Sequence, residues 1–324
     1  MGIASLKRPA AISRLPKSSH PTLAERVSRG EVAREEVPIE VHGQYESVPA
    51  RADPIAILQG QADNRVPELV PIRYGRMLVS PFTFYRGAAA VMAADLAATP
   101  DTGIRVQLCG DAHLSNFGVY AAPDRRLVFD INDFDETLPG PWEWDVKRLA
   151  ASFEIAGRDR KFAAGDRRKL VRTTVRAYRE AMADFARQHN LDVWYARFDV
   201  DSVLDEIRAK ASGSDARDIE RKLTKLQSRD SLAAFEKLTH MVDGQPKFRS
   251  KPPLLVPVED LPGGVGWLES VRDVLREYRR TLPEDRRHLL RQFQLTHLAR
   301  KVVGVGSVGT RAFVLLLMGT DGAD

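Results

Sequence analysis

Cysteine is almost absent from this chain of 324 residues, in which Cys109 is the single example. One thiol can form neither an internal disulfide nor a multi-cysteine zinc site, so both kinds of framework are excluded. A chain without disulfides suits a reducing compartment, and we expect a cytoplasmic protein. The seven histidines contain no ligand-spaced pair, which disfavours a histidine-rich metal site.

Long apolar runs are also missing. The segment Phe313 to Met318 is as long as a strand and far shorter than a membrane span. The first nine residues contain no apolar core of a signal peptide, so none is predicted. Hydrophobic residues make up 43% of the chain and charged residues 29%, which is ordinary for a globular protein and excludes disorder of the whole chain.

Charge of either sign is close to balance. The 49 basic residues exceed the 44 acidic residues by five, and this permits anionic partners such as nucleotides, nucleic acid or lipid headgroups. It selects none of them, and a solvated mixed surface explains the same balance. No motif indicates nucleic-acid binding, and nothing in the sequence indicates an oligomeric state.

The chain divides into three predicted parts. Residues 1–50 are rich in Pro, Ser and Arg and are predicted to be a flexible basic leader. Residues 51–300 predict a mostly helical lobe that carries a β-hairpin within residues 104–130. Residues 301–324 predict a strand, a glycine loop and a second strand, the start of a truncated β-lobe. Truncation is inferred because the turn signal Asp321-Gly322 calls for another strand.

Helical spacing and capping residues predict the main helices of the middle part. The Ala-rich segment Pro81–Ala98 is predicted to be one buried helix. Asp145 is predicted to cap a helix that runs through Ala156, and Asp166 to cap another that ends near Gln188. Residues 201–240 predict further charged helices, and residues 271–299 predict a helical stretch that is interrupted near Pro283.

Oxygen-bearing side chains concentrate between residues 110 and 145. Asp111 follows a predicted strand and a glycine, and Asn116 and Asp130 come later in the predicted hairpin. A turn centred on Pro123 makes Asn116 and Asp130 cross-strand partners, with side chains about 5 Å apart. An amide oxygen beside carboxylates is a hard-oxygen site, and such a site suits Mg²⁺.

Further acidic residues at Asp133, Asp135 and Glu136 add negative charge to this segment. Neighbouring carboxylates repel one another unless a cation or basic side chains balance them. Arg86 is a candidate counter-charge. Turns and caps also use Asp and Asn, so a purely structural role for these residues is the alternative.

Two other metal sites are disfavoured. An EF-hand loop that begins at Asp130 would need glycine at its sixth position, where the chain has Asp135. A two-metal phosphoesterase could begin with Asp111-Ala112-His113, but it would need further histidine ligands. As a lone histidine, His113 suits either a catalytic role or a structural hydrogen bond.

Gly304, Gly306 and Gly309 fit the pattern G-x-G-x-x-G. A dinucleotide-binding fold needs a helix directly after these glycines, whereas Ala312–Met318 is an apolar run of strand type. Strand, glycine loop and strand is the arrangement that covers the ATP phosphates in kinases. An ordinary glycine hairpin is the alternative.

Four segments carry a family resemblance: S-P-F-T-F-Y-R-G-A-A-A-V-M-A-A-D-L-A, C-G-D-A-H-L-S-N-F-G, V-F-D-I-N-D-F-D-E-T-L-P-G-P-W-E-W-D-V-K-R-L-A-A-S and R-K-V-V-G-V-G-S-V-G-T-R. They closely resemble a bacterial family known only as domain of unknown function 2252. The resemblance extends from about residue 40 onward. It implies no activity, because none is established for that family.

A more distant resemblance links G-D-A-H-L-S-N to the catalytic loop of aminoglycoside and choline phosphotransferases, and V-F-D-I-N-D to their metal-binding segment. This resemblance implies that Asp111 is the catalytic aspartate, Asn116 a metal ligand and Asp130 the principal metal ligand. It implies that Asp145 supports the catalytic loop. Because the glycine loop follows the catalytic loop, the two lobes would be permuted in chain order.

Together these features predict an α+β, protein-kinase-like fold with a mostly helical lobe and an incomplete C-terminal β-lobe. The predicted function is ATP- and Mg²⁺-dependent phosphoryl transfer to an unknown acceptor. The candidate residues are Asp111 and His113 for catalysis, Gly304, Gly306 and Gly309 for the nucleotide, Asn116, Asp130 and Asp133 for the metal, and Asp145 and Arg86 for support. The alternatives are an inactive kinase-like nucleotide-binding module and a basic protein that binds nucleic acid or a lipid surface.

Overall fold

A computed structural model of the protein describes residues 21–44, 50–200 and 231–319. Helices combine with small antiparallel sheets, so the fold is α+β, as the sequence predicted. The helices predicted over 201–230 and the turn predicted at Asp321-Gly322 lie outside the described residues. No helix in the described ranges is long and apolar enough to cross a membrane.

Short helices make up the first part of the chain. They are α1 (Leu23–Glu36), α2 (Pro54–Ala62), α3 (Val70–Met77), α4 (Pro81–Arg86) and α5 (Ala89–Leu96), with 3-10 turns at Ile39–Gly43 and Pro67–Leu69. The first helix lies inside the predicted leader. Thr22 and Glu25 form a capping box at its start, a local signal that the Pro- and Ser-rich composition of the leader obscures.

The single helix predicted over Pro81–Ala98 is wrong, because the chain breaks at Gly87 into α4 and α5. The carbonyl of Gly87 accepts a hydrogen bond from Arg73 Nη2 at 2.9 Å. A Cβ at this position would lie 2.7 Å from the side chain of Met77. The close approach of α3 therefore ends α4, although the alanines that follow favour a helix.

Two antiparallel ribbons follow, one inserted in the other. Strand β1 (Arg105–Leu108) pairs with β4 (Leu138–Pro141), and β2 (Phe117–Ala121) pairs with β3 (Leu127–Ile131). The predicted hairpin is therefore the inner ribbon, and the predicted first strand belongs to the outer one. A 3-10 turn at Leu114–Asn116 precedes β2.

The inner hairpin is centred on Asp124, one residue later than predicted. Arg125 adopts a left-handed conformation with φ 65°, so the loop takes in Arg126 as an additional residue. As a result Asp130 pairs with Gly118, and the predicted partnership of Asn116 with Asp130 is wrong. A turn predicted from composition alone cannot fix its length to one residue.

Three helices follow the ribbons: α6 (Trp142–Asp159), α7 (Ala164–Phe185) and α8 (Asn190–Tyr195). The first two pack side by side, and the ring of Trp142 stacks on that of Tyr178 with centroids 5.7 Å apart. The predicted caps are wrong, because Asp145 and Asp166 lie within the first turns of α6 and α7 and cap neither helix. The carboxylate of Asp145 binds the backbone of another segment instead.

The last part of the chain builds two further sheets. Helix α9 (Ser231–Leu238) leads into a ribbon of β5 (Thr239–Val242) and β6 (Gln245–Phe248). A three-stranded antiparallel sheet has the order β7 (Leu255–Pro257), β8 (Phe293–Lys301) and β9 (Phe313–Gly319). Between its first two strands lie a 3-10 turn (Val258–Asp260) and helices α10 (Gly264–Thr281) and α11 (Glu284–Arg291).

The helical prediction is confirmed up to Arg291, and so is the interruption near Pro283, which lies between α10 and α11. It is wrong over 293–299, because these residues belong to β8. This strand is the central one of its sheet, and Leu298 and Ala299 are fully buried in it. Pairing on both edges and burial on both faces outweigh the local helical pattern.

The core joins the two ends of the described chain. One cluster combines Leu58, Met77 and Ala88 with Val305, and a second combines Val66 and Leu69 with Val308. Both valines come from the loop between β8 and β9. This loop therefore packs on the N-terminal helices.

Candidate functional site

The Asp111 loop, residues 109–116 between β1 and β2, begins on two backbone amides that Asp145 binds. The Asp145 carboxylate accepts hydrogen bonds from the amide of Cys109 at 2.7 Å and from that of Gly110 at 3.1 Å. Burial raises the pKa of Asp145 against the opposing effect of these two amides. Asp145 thus contacts the loop that it is predicted to support, and it directs the chain as it leaves β1.

Gly110 allows a second segment to approach this loop. Its φ of +84° is in the left-handed region, and a Cβ here would overlap the carbonyl of Glu136. Any larger residue would be strained and would push the two segments apart. The glycine before Asp111 therefore brings the acidic segment around Glu136 against the loop.

Arg148, three residues after Asp145 on α6, binds the carboxylate of Asp111. Its Nε donates to Asp111 Oδ1 at 2.7 Å, and its Nη2 donates to the same oxygen. The arginine side chain is only 3% exposed, whereas that of Asp111 is 19% exposed. The pair fixes one carboxylate oxygen and leaves Oδ2 beside His113, 3.6 Å from its Nε2.

Tyr85 of α4 holds this guanidinium from the other side. Arg148 Nη2 donates to the carbonyl of Tyr85 at 3.0 Å, and the guanidinium carbon lies 4.3 Å from the centre of the Tyr85 ring. The hydroxyl of Tyr85 in turn donates to the carbonyl of Arg148 at 2.8 Å. The guanidinium of Arg148 is therefore fixed in position by its contacts with Asp111 and with the carbonyl and ring of Tyr85.

Ser152 completes the polar face of α6. Its Oγ accepts a hydrogen bond from the amide of Leu114 at 3.0 Å. With Asp145 and Arg148 it forms a row at spacings of three and four residues, which lie on one face of a helix. Sequence reasoning missed Arg148 and Ser152. Their spacing from Asp145 is the signal that could have revealed them.

Asn116 ties the end of the loop to the segment after β3. Its Nδ2 donates to the carbonyls of Asp111 at 3.2 Å and Asp133 at 3.0 Å, and it lies 3.5 Å from Cys109 Sγ. All of these partners accept hydrogen bonds, so the amide must direct its Nδ2 towards them. Asn116 Oδ1 therefore points away from the carbonyls of Asp111 and Asp133. Asn116 is buried, and its orientation is therefore fixed.

Cys109 is a buried small side chain without nucleophilic character. Burial is the main cause that raises the pKa of its thiol to about 11, and the charge of Asp145 adds to it. The thiolate is the reactive form, so this thiol is inert near neutral pH.

His113 is buried at 6% exposure against the Asp111 carboxylate. Burial lowers the pKa of its imidazole, Asp111 opposes this, and the positive charges of Arg86 and Arg148 add to the lowering. The ring of Phe82 from α4 stands edge-on to it, with centroids 6.3 Å apart. His113 Nδ1 is buried with no hydrogen-bond partner in the described part of the chain.

The three predicted metal ligands are not gathered in one place. Asp130 is exposed, and its Oδ1 accepts a hydrogen bond from the amide of Ile131 at 2.7 Å. Asp133 is exposed too, but its carbonyl contacts Asn116. This contact uses the backbone of Asp133, whereas its carboxylate accepts a hydrogen bond from the amide of Asp135 at 3.1 Å.

The donor chemistry suits Mg²⁺ even so. Within the described ranges, no group of three or more His, Cys, Asp or Glu side chains is arranged to hold a metal ion. Mg²⁺ often takes only one or two carboxylates, and water and substrate phosphates complete its shell. Asn116 Oδ1 and the Asp133 carboxylate are hard-oxygen donors on adjoining segments. Donors of this kind suit Mg²⁺, although Asn116 turns its Nδ2, and not Oδ1, towards Asp133.

The glycine loop, residues 302–312 between β8 and β9, is held by arginines. Arg65 Nη1 donates to the carbonyls of Gly306 at 2.8 Å and Val308 at 2.6 Å. Arg76 Nη1 donates to the carbonyl of Gly304 at 2.6 Å. The loop thus uses its carbonyls in binding the N-terminal helices, and its role in covering a nucleotide stays a prediction.

Helix α4 contacts both loops. A Cβ at Gly306 would lie 3.2 Å from the carbonyl of Arg86, and Phe82 of the same helix contacts His113. The glycine loop and the Asp111 loop, far apart in the sequence, therefore lie against one short helix. Asp111, His113, Asn116, Asp145 and Arg86 form one neighbourhood, Gly306 borders it, and no contact of the described residues links Asp130 to it.

Comparison with known proteins assigns the chain to a family. Residues 65–324 match the family described as "Uncharacterized protein conserved in bacteria (DUF2252)". No curated protein and no solved structure matches the chain.

Proposed function

We propose that this protein, which belongs to the uncharacterised bacterial family DUF2252, is a kinase-like phosphotransferase that depends on ATP and Mg²⁺. The proposal rests above all on the carboxylate of Asp111. Arg148 fixes one of its oxygens, and the other lies 3.6 Å from His113 Nε2 in a side chain that is 19% exposed. A positioned carboxylate of this kind is what orienting an acceptor hydroxyl requires.

Asp111 Oδ2 is the proposed proton acceptor. It would hold the hydroxyl of the acceptor and take its proton as the phosphoryl group is transferred. Arg148 would keep the carboxylate in one orientation, so that little conformational freedom is lost when the acceptor binds. Asp145 and Ser152 would act through the backbone and keep the loop in place.

Asn116 Oδ1 and the carboxylate of Asp133 are the proposed metal ligands, and Asp130 is an exposed acid outside this pair. Bound Mg²⁺ would supply neutralisation of the phosphate charge. The glycine loop would lie C-terminal to the catalytic loop, so the lobes would be permuted relative to kinases. Positive φ values of 61° at Gly304 and 92° at Gly309 are consistent with a tight loop beside a ligand.

An inactive nucleotide-binding module is the second candidate. The ion pair with Arg148 favours it, because the guanidinium already binds one oxygen of the carboxylate. In that case Asp111 would have only a structural role.

ATP consumption by the purified protein, with pooled hydroxyl-bearing metabolites as acceptors, tests the proposal. Asp111→Asn should lower turnover about 10²- to 10⁴-fold and leave ATP binding in place. Asp124→Asn, in the exposed hairpin turn, is the matched control and should leave turnover unchanged.

The outcomes separate the candidates. ATP binding without turnover in the wild type supports the inactive module, and full turnover in Asp111→Asn overturns the catalytic assignment. Absence of both ATP binding and turnover in the wild type overturns both candidates.

A further inference from the structure

We propose that Arg86 and His113 form a subsite for phosphoryl oxygens beside Asp111. This inference deepens the proposed function and rests on it for the identity of the ligand. The sequence offered Arg86 only as a counter-charge for acidic residues. The geometry points instead to a group that touches the ligand.

Helix α4 turns Arg86 towards the Asp111 loop. Phe82 and Arg86 are four residues apart and therefore lie on the same face of the helix. The ring of Phe82 contacts that of His113, so this face looks onto the loop. The charge of Arg86 also lowers the pKa of His113, in accord with their proximity.

Arg86 differs from the other arginines whose Nε is buried, because its guanidinium makes no hydrogen bond or ion pair in the described ranges. Five arginines have a buried Nε without a hydrogen-bond partner in the described ranges: Arg65, Arg73, Arg86, Arg279 and Arg300. The other four bind an acceptor through another nitrogen of the same group. No hydrogen bond or ion pair of Arg86 occurs among the described side chains. A ligand is therefore the missing acceptor.

His113 supplies a second unsatisfied group at the same place. Its Nδ1 is buried and unpartnered, while its Nε2 faces Asp111. A buried polar atom without a partner costs about 1–3 kcal/mol, and native structures keep few of them. Two such atoms, on side chains that Phe82 and its helix bring to the same loop, indicate one shared ligand.

The chemistry of the ligand follows from these groups. A guanidinium is planar and always charged, and it matches the oxygens of a phosphoryl group better than any neutral acceptor. The Asp111 carboxylate is already bound to Arg148 and does not neutralise Arg86. At this position Arg86 would contact the group that the proposed reaction transfers and would stabilise its charge.

Calorimetric titration of the full chain with pyrophosphate, in metal-free buffer with a chelator, tests the subsite. Arg86→Gln should weaken binding about tenfold, as expected for the loss of one charge-assisted contact. The control Arg168→Gln removes the same charge from an exposed position on α7 and should leave the affinity unchanged. Equal affinity in all three proteins, or no binding to the wild type, overturns the inference.

Two further measurements do not depend on how the variant folds. Pyrophosphate should protect Arg86 of the wild type from modification by phenylglyoxal, as mapped by mass spectrometry, and an unprotected Arg86 contradicts the subsite. Malonate, a dicarboxylate, should bind more weakly than pyrophosphate. Tighter binding of malonate overturns the phosphoryl assignment.

Failure of this inference can be told apart from failure of the proposed function. If Arg86→Gln loses pyrophosphate affinity while the wild type consumes no ATP, the subsite stands and phosphoryl transfer falls. If the wild type consumes ATP through Asp111 while Arg86→Gln binds pyrophosphate normally, the function stands and the subsite falls.

Discussion

The Asp111 loop and the glycine loop are held by opposite means. Side-chain oxygens of α6 bind the backbone amides of the first loop, at Cys109, Gly110 and Leu114. Arginines bind the carbonyls of the second loop, and two of its valines are buried in the core. Both loops carry motifs that point to an active site, so the motif alone does not distinguish their roles.

The two loops differ in which polar groups remain accessible once the contacts that anchor each loop are made. The polar face of α6 uses the backbone of the Asp111 loop and leaves a partly exposed carboxylate. The glycine loop is anchored through Val305 and Val308, and its Gly306 lies close to the carbonyl of Arg86 at the end of α4. The Asp111 loop therefore keeps a partly exposed carboxylate, whereas the glycine loop is fixed by its contacts with the core.

The largest expected effect on stability follows loss of Arg148, the buried arginine that binds the Asp111 loop. Arg148→Met should lower the free energy of unfolding by about 3–5 kcal/mol, because it leaves a partly buried carboxylate without its partner. Arg158→Met is the control, because its pair with Glu154 is exposed and is worth at most about 1 kcal/mol. Urea denaturation measures both.

A double variant sharpens this test. Asp111→Asn combined with Arg148→Met should cost less than the sum of the two single changes, because neither charge is then left alone. If Arg148→Met costs no more than Arg158→Met, the ion pair does not hold the loop.

The reactivity of Cys109 reports whether the start of the Asp111 loop opens. A thiol pKa raised from 9.0 to about 11 leaves about 100-fold less thiolate near pH 8 than in the unfolded chain. Iodoacetamide labelling of the native protein should be slower by at least that factor. Its rate should rise about tenfold per pH unit between pH 7.5 and 9.5, since the thiolate fraction does so below the pKa.

Unfolded protein in urea is the control for Cys109, and its labelling rate should level off near pH 9. A native rate that levels off there as well would mean that the loop opens readily. Arg148→Met should increase the native rate.

A smaller effect on stability is expected when Val308, which anchors the glycine loop in the core, is truncated. Val308→Ala should lower the free energy of unfolding by about 2 kcal/mol, because Val308 is fully buried and its loss leaves a cavity. Val303→Ala in the same loop, where the side chain is 39% exposed, should change it by less than about 0.5 kcal/mol. If the two variants change the free energy of unfolding equally, the loop is not held by the core. A role as a mobile loop that covers a nucleotide would then be favoured.

Local patterns predicted the elements better than their ends. The α+β class, the existence of the hairpin and the strand after the glycine loop were predicted from alternation and turn residues. The break at Gly87 and the strand over 293–299 were missed, because each depends on a segment distant in the sequence. The predicted hairpin register was wrong because the turn is centred on Asp124, one residue later than predicted.

The candidate site was predicted only in part for the same reason. The motif marked Asp111, Asn116 and Asp145, which do lie together. It paired Asn116 with Asp130, whereas Asp133 makes the contact, and it did not include Arg148. Partners of a buried charge are chosen by packing between elements, and a single sequence without its fold does not reveal them.

The amino-acid sequence by itself determined the kinds of groups available: a loop of Asp, His and Asn after a strand, a helix with polar residues at spacings of three and four, and a glycine-rich connection between strands. Only the tertiary structure decided which group each of them meets. Backbone propensity and side-chain chemistry act over a few residues, whereas burial and ion pairing depend on which distant segments pack together. For this reason the chemistry of Asp111 was visible in the sequence, and its bond to Arg148 was not.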